Sequence, residues 1–160
     1  MRIVIRKAAA ADFEEVFQLF WEFIKSHREY DQRYYALLPR AEFKRQYRKI
    51  YARFLKGRTR FQLVAERDGK IMGVIRGGVA KRHPSLRHTE KQGEIAQLMV
   101  RVEYRRKGVA LALMNEAMAR LGKMKMKRVV LKVDAENIPA KRLYSKLDFK
   151  DRQVIMTKYL

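Results

Sequence analysis

The chain has 160 residues, 48% of them apolar and 11% aromatic, which excludes a disordered polyelectrolyte even though 34% are charged. Thirty-eight Lys and Arg stand against 17 Asp and Glu, a net charge of +21 that points to a polyanionic partner: a nucleic acid, a phosphorylated cofactor or an acidic protein. With no cysteine, disulfide frameworks, zinc ribbons and thiol catalysis are excluded, and no apolar run approaches the roughly 18 residues of a membrane span. The expectation is one soluble, unprocessed domain over residues 1–160, cytoplasmic and without a membrane partner. The basic residues are spread, 18 against 9 acids in residues 1–80 and 20 against 8 in 81–160, so the charge is not a detachable tail.

A short opening strand is predicted over Arg2 to Arg6. Asp12 then caps a helix from Phe13, where Val16, Phe17, Phe20, Trp21 and Ile24 recur at three- and four-residue steps and form one apolar face. A Tyr-rich connection through Tyr30, Tyr34 and Tyr35 runs to Pro39. A second amphipathic helix, Phe43 to Lys56, turns Phe43, Tyr47, Ile50, Tyr51 and Phe54 inward and Lys44, Arg45, Arg48, Lys49 and Arg53 outward, and Gly57 ends it. Phe61 to Glu66 and Lys70 to Val79 read as a hairpin around Asp68-Gly69, because Asp-Gly supplies the positive φ angles of a two-residue turn.

Lys81 to Gln92 reads as a loop. Glu94 to Arg101 is an apolar strand, Gly108 to Leu121 a helix with Val109, Leu113, Ala117 and Leu121 in one row, and Arg128 to Asp134 another strand. Pro139 suits the first turn of a helix continued by Ala140, Leu143, Tyr144 and Leu147, and a last strand is predicted over Gln153 to Tyr159. This order implies an α/β (α+β) fold: a mixed, mostly antiparallel sheet of about six to seven strands with helices on both faces. The strands flanking the third helix should be parallel neighbours joined by a right-handed crossover.

Chemistry concentrates at Arg105-Arg106-Lys107-Gly108-Val109-Ala110, directly after an apolar strand and directly before a helix. Unpaired amides at a helix N-terminus, the helix dipole and a glycine that keeps side chains out of the way make an anion site. The spacing is neither the P-loop nor the dinucleotide fingerprint, and a tight turn into a basic helix is the plainer alternative. The histidines, His27, His83 and His88, have no ligand spacing and no Cys partner, so no metal site is expected.

The hexamer resembles the R-x-x-G-x-A form of the acetyl-CoA signature in the GNAT superfamily of N-acetyltransferases. The run from Asp134 to Phe149 resembles that family's second cofactor segment, with Asn137, Ala140, Tyr144 and Phe149 in register. Asp148 stands where that segment usually has glycine, and an Asp can take the left-handed backbone there at some cost. The specific resemblance covers about residues 92 to 150.

It implies acetyl-CoA as co-substrate, with no metal. Amides around Arg105, Arg106, Lys107, Gly108, Val109 and Ala110 would hold the pyrophosphate, and Val100 and Val102 would hydrogen-bond the pantetheine between two splayed parallel central strands. An N–H near Leu98 would face the acetyl carbonyl. Glu94, eleven residues before Arg105, resembles the family's general base, against a strand-end glutamate in solvent or paired with an arginine. Tyr144 would protonate or orient the departing thiolate, against a packed tyrosine. Asn137 would bind pantetheine or cap the helix that starts near Pro139.

The resemblance thus implies an enzyme moving an acetyl group to a primary amine, whether a protein N-terminus, a lysine or a small amine, by direct attack in a ternary complex. A GNAT-like protein that binds RNA or ribosomes with little or no activity is the alternative. An acidic or nucleic-acid-bearing partner and a homodimer are both left open.

Overall fold

The computed structural model describes residues 3–80 and 91–160. The expected loop at Lys81 to Gln92, with His83 and His88, therefore falls mostly outside the described residues, as does Arg2, the first residue of the expected opening strand. Among the described residues the chain order is β1 (Val4–Lys7), α1 (Phe13–His27), α2 (Arg40–Lys56), β2 (Arg60–Arg67), β3 (Lys70–Val79), β4 (Gln92–Val100), α3 (Val109–Lys123), β5 (Arg128–Leu131) and α4 (Ile138–Lys146).

The strands form one mixed sheet in the order β1-β2-β3-β4-β5, with every neighbouring pair antiparallel except β4 and β5. That is five strands among the described residues, fewer than the six to seven expected. Gln153 to Tyr159 is the missing one: residues 150–160 form neither helix nor strand and pair with no strand among the described residues. At the β2–β3 turn Asp68 and Gly69 have φ of 52° and 74°, the two positive angles expected of Asp-Gly.

Alternation of apolar side chains along the strands feeds a core on each face. On one, Val64, Val74 and Met99 meet Val16, Phe17 and Phe20 of α1 and Tyr47 and Tyr51 of α2. On the other, Leu63, Ile75 and Ile95 meet Val109, Leu113, Ala117 and Leu121, the row expected on α3. Tyr144 of α4 and Leu147 just after it pack against that second cluster. Trp21 lies edge-on to Phe43, ring centroids 5.3 Å apart, between α1 and α2, and so serves the helix pair.

Three local expectations change. Asp12 does not cap α1. It accepts from the Ala9 amide at 2.7 Å and from both Arg6 terminal nitrogens at 2.7 and 2.9 Å, closing the turn that precedes the helix. Ile50 on α2 is exposed, since the inward arc is filled by Tyr47 and Tyr51. Gly57 ends α2 in extended backbone, φ −73°, rather than in the left-handed region.

Arg76 of β3 is 2% exposed, and among the described residues no carboxylate faces it. Its nitrogens donate to Gln62 Oε1 at 2.5 Å, to Gln97 Oε1 at 3.0 Å and to the Tyr47 hydroxyl. The Tyr47 ring lies 4.6 Å from its guanidinium carbon. Burial lowers its proton affinity, the expected sign for a desolvated cation. The cluster ties β2, β3 and β4 to α2, so the buried surface beneath the helix pair has a single polar register.

Candidate active site

The parallel pair β4–β5 is the origin of the site. Its ladder runs from Gln92 opposite Arg128 to Ile95 opposite Leu131 and stops there, while β4 continues to Val100 with β3 as its neighbour. Residues 96–100 therefore present one strand edge with no β5 partner. The β3–β4 register shifts between Arg76 and Gly77, which pair with Gln97 and Ile95, so Ala96 is the extra residue of a bulge at the fork. Glu94 pairs with Val130, one step before the ladder ends. It is half-buried and, by alternation with Ile95, on the α1–α2 face. Leu98 and Val100 lie beyond the fork and pack on the α3 side.

After β4, a 3-10 turn over Val102–Tyr104 leads to Arg105, whose Nε reaches the Val100 carbonyl at 3.3 Å. Val102 is exposed, so it extends past the end of the strand. Arg106 and Gly108 both have positive φ, 61° and 79°. Gly108 is where the sequence places conformational freedom, and an ideal Cβ there would meet nothing within 4 Å, so the approach is open as well. Arg106 was not legible as strained. Its left-handed backbone costs roughly 1–2 kcal/mol for a residue with a Cβ, and such angles gather at binding sites.

The first α3 hydrogen bond runs from the Ala112 amide to the Gly108 carbonyl at 3.0 Å. Among the described residues, the amides from Arg106 to Leu111 find no backbone acceptor outside regular structure. Val109 and Ala110 thus open a helix whose orphan donors face outward, with no acid in its first turn and with Arg105, Arg106 and Lys107 exposed around it. That array concentrates positive potential on one small volume and suits a phosphate group.

The other wall is α4. Asn137 accepts from the Ala140 amide at 3.2 Å, so the capping role is present. At the far end Asp148 takes φ 61°, the left-handed backbone expected there from the resemblance. Its amide reaches Ser145 O at 3.1 Å and that of Phe149 reaches Tyr144 O at 3.0 Å, the two bonds of a Schellman turn. The accompanying apolar contact is Tyr144 against Phe149, ring centroids 5.9 Å apart, and this fixes the phenol. Burial raises the Tyr144 pKa, keeping the hydroxyl protonated.

Sequence reasoning missed Asp134, just beyond β5, which accepts from the Tyr35 hydroxyl at 2.7 Å and lies 3.8 Å from Nε2 of the buried His27. Burial and this bond raise the Tyr35 pKa. The His27 Nδ1 sits 2.9 Å from the Phe23 carbonyl, so this histidine is a packed one. Of the Tyr-rich connection, Tyr35 hydrogen-bonds just beyond β5, Tyr30 packs on His27, and Tyr34 is exposed against the Tyr35 ring. The signal was available only as an acid at the head of the Asp134 to Phe149 run.

The GNAT acetyltransferase family model matches residues 13–149. The chain belongs to the GNAT acetyltransferase family. N-alpha-acetyltransferases of Sulfurisphaera tokodaii and Saccharolobus solfataricus are similar to it, at 32% identity over 100 residues and 35% over 94. These matches cover 60% and 57% of this chain and 60% and 54% of those relatives, so only part of each relative is spanned. Among solved structures, a Bacillus halodurans protein superposes with TM-score 0.82 at 19% identity, covering 98% of this GNAT chain and 99% of that one. An aminoglycoside 6'-N-acetyltransferase of Acinetobacter haemolyticus superposes at TM-score 0.72 and 16% identity, over 98% and 99%. Glucosamine-6-phosphate N-acetyltransferase of Arabidopsis thaliana does so at 0.69 and 22%, over 99% of each. At these identities the structures establish the shared fold alone.

Proposed function

We propose that this GNAT-family chain is an acetyl-CoA-dependent N-acetyltransferase that acts on a primary amine by direct attack in a ternary complex. The observation that carries the reading is the row of unpartnered amides from Arg106 to Leu111 set directly beside the unpaired edge of β4. A phosphate-bearing ligand with an amide-rich arm suits both. The amides of Arg106, Lys107, Gly108, Val109 and Ala110, with the Arg105 side chain, would hold the pyrophosphate, and Val100 and Val102 would pair with the pantetheine amides. Asn137, its Oδ1 engaged in the cap, keeps its Nδ2 group for the same arm.

Acetyl-CoA supplies an activated acetyl thioester; the protein's part is to position it and move protons. An amide near Leu98 would stabilise negative charge developing on the acetyl oxygen. Glu94 would take the proton from the attacking amine, through water, since about 3.3 Å per residue separates it from Leu98 along the strand. Tyr144, held protonated by burial, would donate to the departing sulfur. No cysteine is available for an acetyl-enzyme.

For the acceptor, the N-alpha-acetyltransferase relatives favour a protein N-terminus over a lysine side chain or a small amine. The test is a thiol-release assay with acetyl-CoA over peptides with free N-termini, polyamines and aminoglycosides, with and without RNA. Turnover with an N-terminal peptide, unaffected by RNA, is expected. Release of CoA with none of these amines, together with tight RNA binding, would replace the enzyme reading with the nucleic-acid-binding one.

A further inference from the structure

The chain carries 38 Lys and Arg, yet among the described residues none forms an ion pair with Asp134. Its Oδ2 accepts instead from the Tyr35 hydroxyl at 2.7 Å, and the side chain keeps 29% of its surface exposed. His27 Nε2 stands 3.8 Å from the same oxygen, too far for a hydrogen bond. The histidine is only 8% exposed, and its Nδ1 meets the Phe23 carbonyl at 2.9 Å. A nitrogen facing a carbonyl must carry the proton, so in the neutral ring Nε2 is left as an acceptor, and no hydrogen bond reaches it among the described residues.

Aromatic rings wall this acid. Tyr30 and Tyr35 stand edge-on to His27, ring centroids 5.3 and 5.4 Å away, and Tyr34 stands edge-on to Tyr35 at 5.0 Å. Elsewhere the chain's own cations lie over its aromatic faces, as Arg48 does over Phe13 and Arg33 over Tyr159. Among the described residues none lies over Tyr30, Tyr34 or Tyr35.

We infer that Asp134, the Tyr35 oxygen and His27 Nε2 bind a primary ammonium of the acceptor, separate from the amine that is acetylated, so that the enzyme prefers acceptors with a second cationic amino group. The role as an acceptor subsite rests on the acetyltransferase reading above. An ammonium brings three donors and no acceptor, which suits a carboxylate flanked by two further acceptors. A guanidinium would seek both oxygens of a carboxylate with its flat fork, and Oδ2 is already engaged by Tyr35. The tyrosine rings add attraction for a cation. Glu94 pairs with Val130, and Asp134 follows Val130 by four residues, no more than about 14 Å of chain. Lys132, between them, is exposed and forms no ion pair with Asp134 among the described residues. Glu94 and Asp134 both lie on the α1–α2 side, so a peptide with a lysine a few residues after its N-terminus spans them, as does a linear polyamine.

Two peptides that differ only by lysine or methionine at the third position test this, by calorimetry on the CoA-bound protein and by steady-state kinetics with acetyl-CoA. The wild type should bind the lysine peptide at least about tenfold more tightly, the size of one hydrogen bond to a charged group, and show the same ratio in kcat/KM through KM. A net charge of +21 works against a cationic peptide, so such a preference belongs to a local site. Asp134→Asn keeps an acceptor for Tyr35 without the charge and should bring both ratios near one; Asp134→Glu should recover part of the preference. Spermidine against butylamine separates the sources: an Asp134-dependent preference for spermidine but not for the lysine peptide would put the second ammonium on a polyamine. Equal affinity within both pairs, a preference that survives Asp134→Asn, or an equal loss for both members of a pair would overturn the subsite and leave acetyl transfer standing. Asp134-dependent binding without turnover of any amine would keep the cation site and overturn the acetyltransferase reading instead.

Discussion

The Tyr35 hydroxyl donates to Asp134 Oδ2 at 2.7 Å, joining the connection between α1 and α2 to the residue stretch just beyond β5 across 99 positions of sequence. The same connection is also tied to the C-terminal segment, where the Tyr159 hydroxyl donates to Asp31 at 2.6 Å. Tyr35→Phe should cost about 1 kcal/mol of stability, the usual loss for one hydrogen bond. If the connection frames the acceptor entrance, the variant should raise the acceptor KM while leaving acetyl-CoA affinity unchanged. Steady-state kinetics with calorimetry on the same variant separates these, and an equal loss in both would assign the bond to general stability.

Tyr144 supplies a pH signature. Its proton affinity is raised by burial, so as a proton donor it should stay competent beyond the ordinary tyrosine value of about 10. kcat is expected to hold across the alkaline range in the wild type and to fall at all pH values in Tyr144→Phe. Glu94→Gln should instead lower turnover most at low pH, where unassisted deprotonation of the amine is hardest. Wild-type turnover in both variants with a good acceptor would remove the two roles.

Much of this was legible in the sequence because the informative residues act locally. The Asp-Gly turn, the row from Val109 to Leu121, and the strand-turn-helix around Gly108 each depend on residues a few positions apart, and each formed. Asp148 was readable as a departure from glycine, and its φ of 61° bears out the left-handed backbone expected there. What was not legible depends on distant partners. Asp134 acquires its contact from Tyr35, and Asp12 is drawn away from capping α1 by Arg6. Gln153 to Tyr159 has the composition of a strand, but a strand exists only where a neighbour completes its ladder.

Asp12 gives a stability prediction with a definite sign. The Arg6 hydrogen bond is the largest cause holding its carboxyl below the ordinary value, and the Ala9 amide adds to it. A depressed folded-state pKa contributes stability that is present above the unfolded carboxylate value of about 3.9 and is lost as pH falls through the folded one. Asp12→Asn should therefore cost about 1–2 kcal/mol at neutral pH, with the wild-type and variant curves converging in acid. Urea denaturation across pH measures it; a constant gap would show that the lost shape, not the charge, matters.

On the outside of α2 the basic residues are not equivalent. Lys44 and Arg48 converge on Glu14 of α1 at 2.6 and 3.2 Å, and the Arg48 guanidinium carbon stands 3.9 Å from the Phe13 ring centroid, so these two serve helix packing. Lys49 and Arg53, lining an open groove of about 470 Å³ with Arg45 and Ile50, are the residues available to steer an acidic partner. Lys49→Glu/Arg53→Glu should lower the acceptor kcat/KM and its salt dependence while kcat holds. Lys44→Glu/Arg48→Glu should lower the melting temperature. Identical salt profiles for wild type and the first pair would leave α2 a solvated face.

The central claim, that the turn into α3 is the acetyl-CoA pyrophosphate site, is tested most directly by calorimetric titration of acetyl-CoA into the wild type and Gly108→Glu. Among the described residues no atom beyond the adjoining ones lies within 4 Å of the added Cβ, and α3 starts only after this residue, so the variant should fold despite the strain of φ 79°. Its carboxylate would stand where the phosphates must approach the amides. The account predicts tight binding by the wild type and none by the folded variant; equal affinity in the two would contradict it.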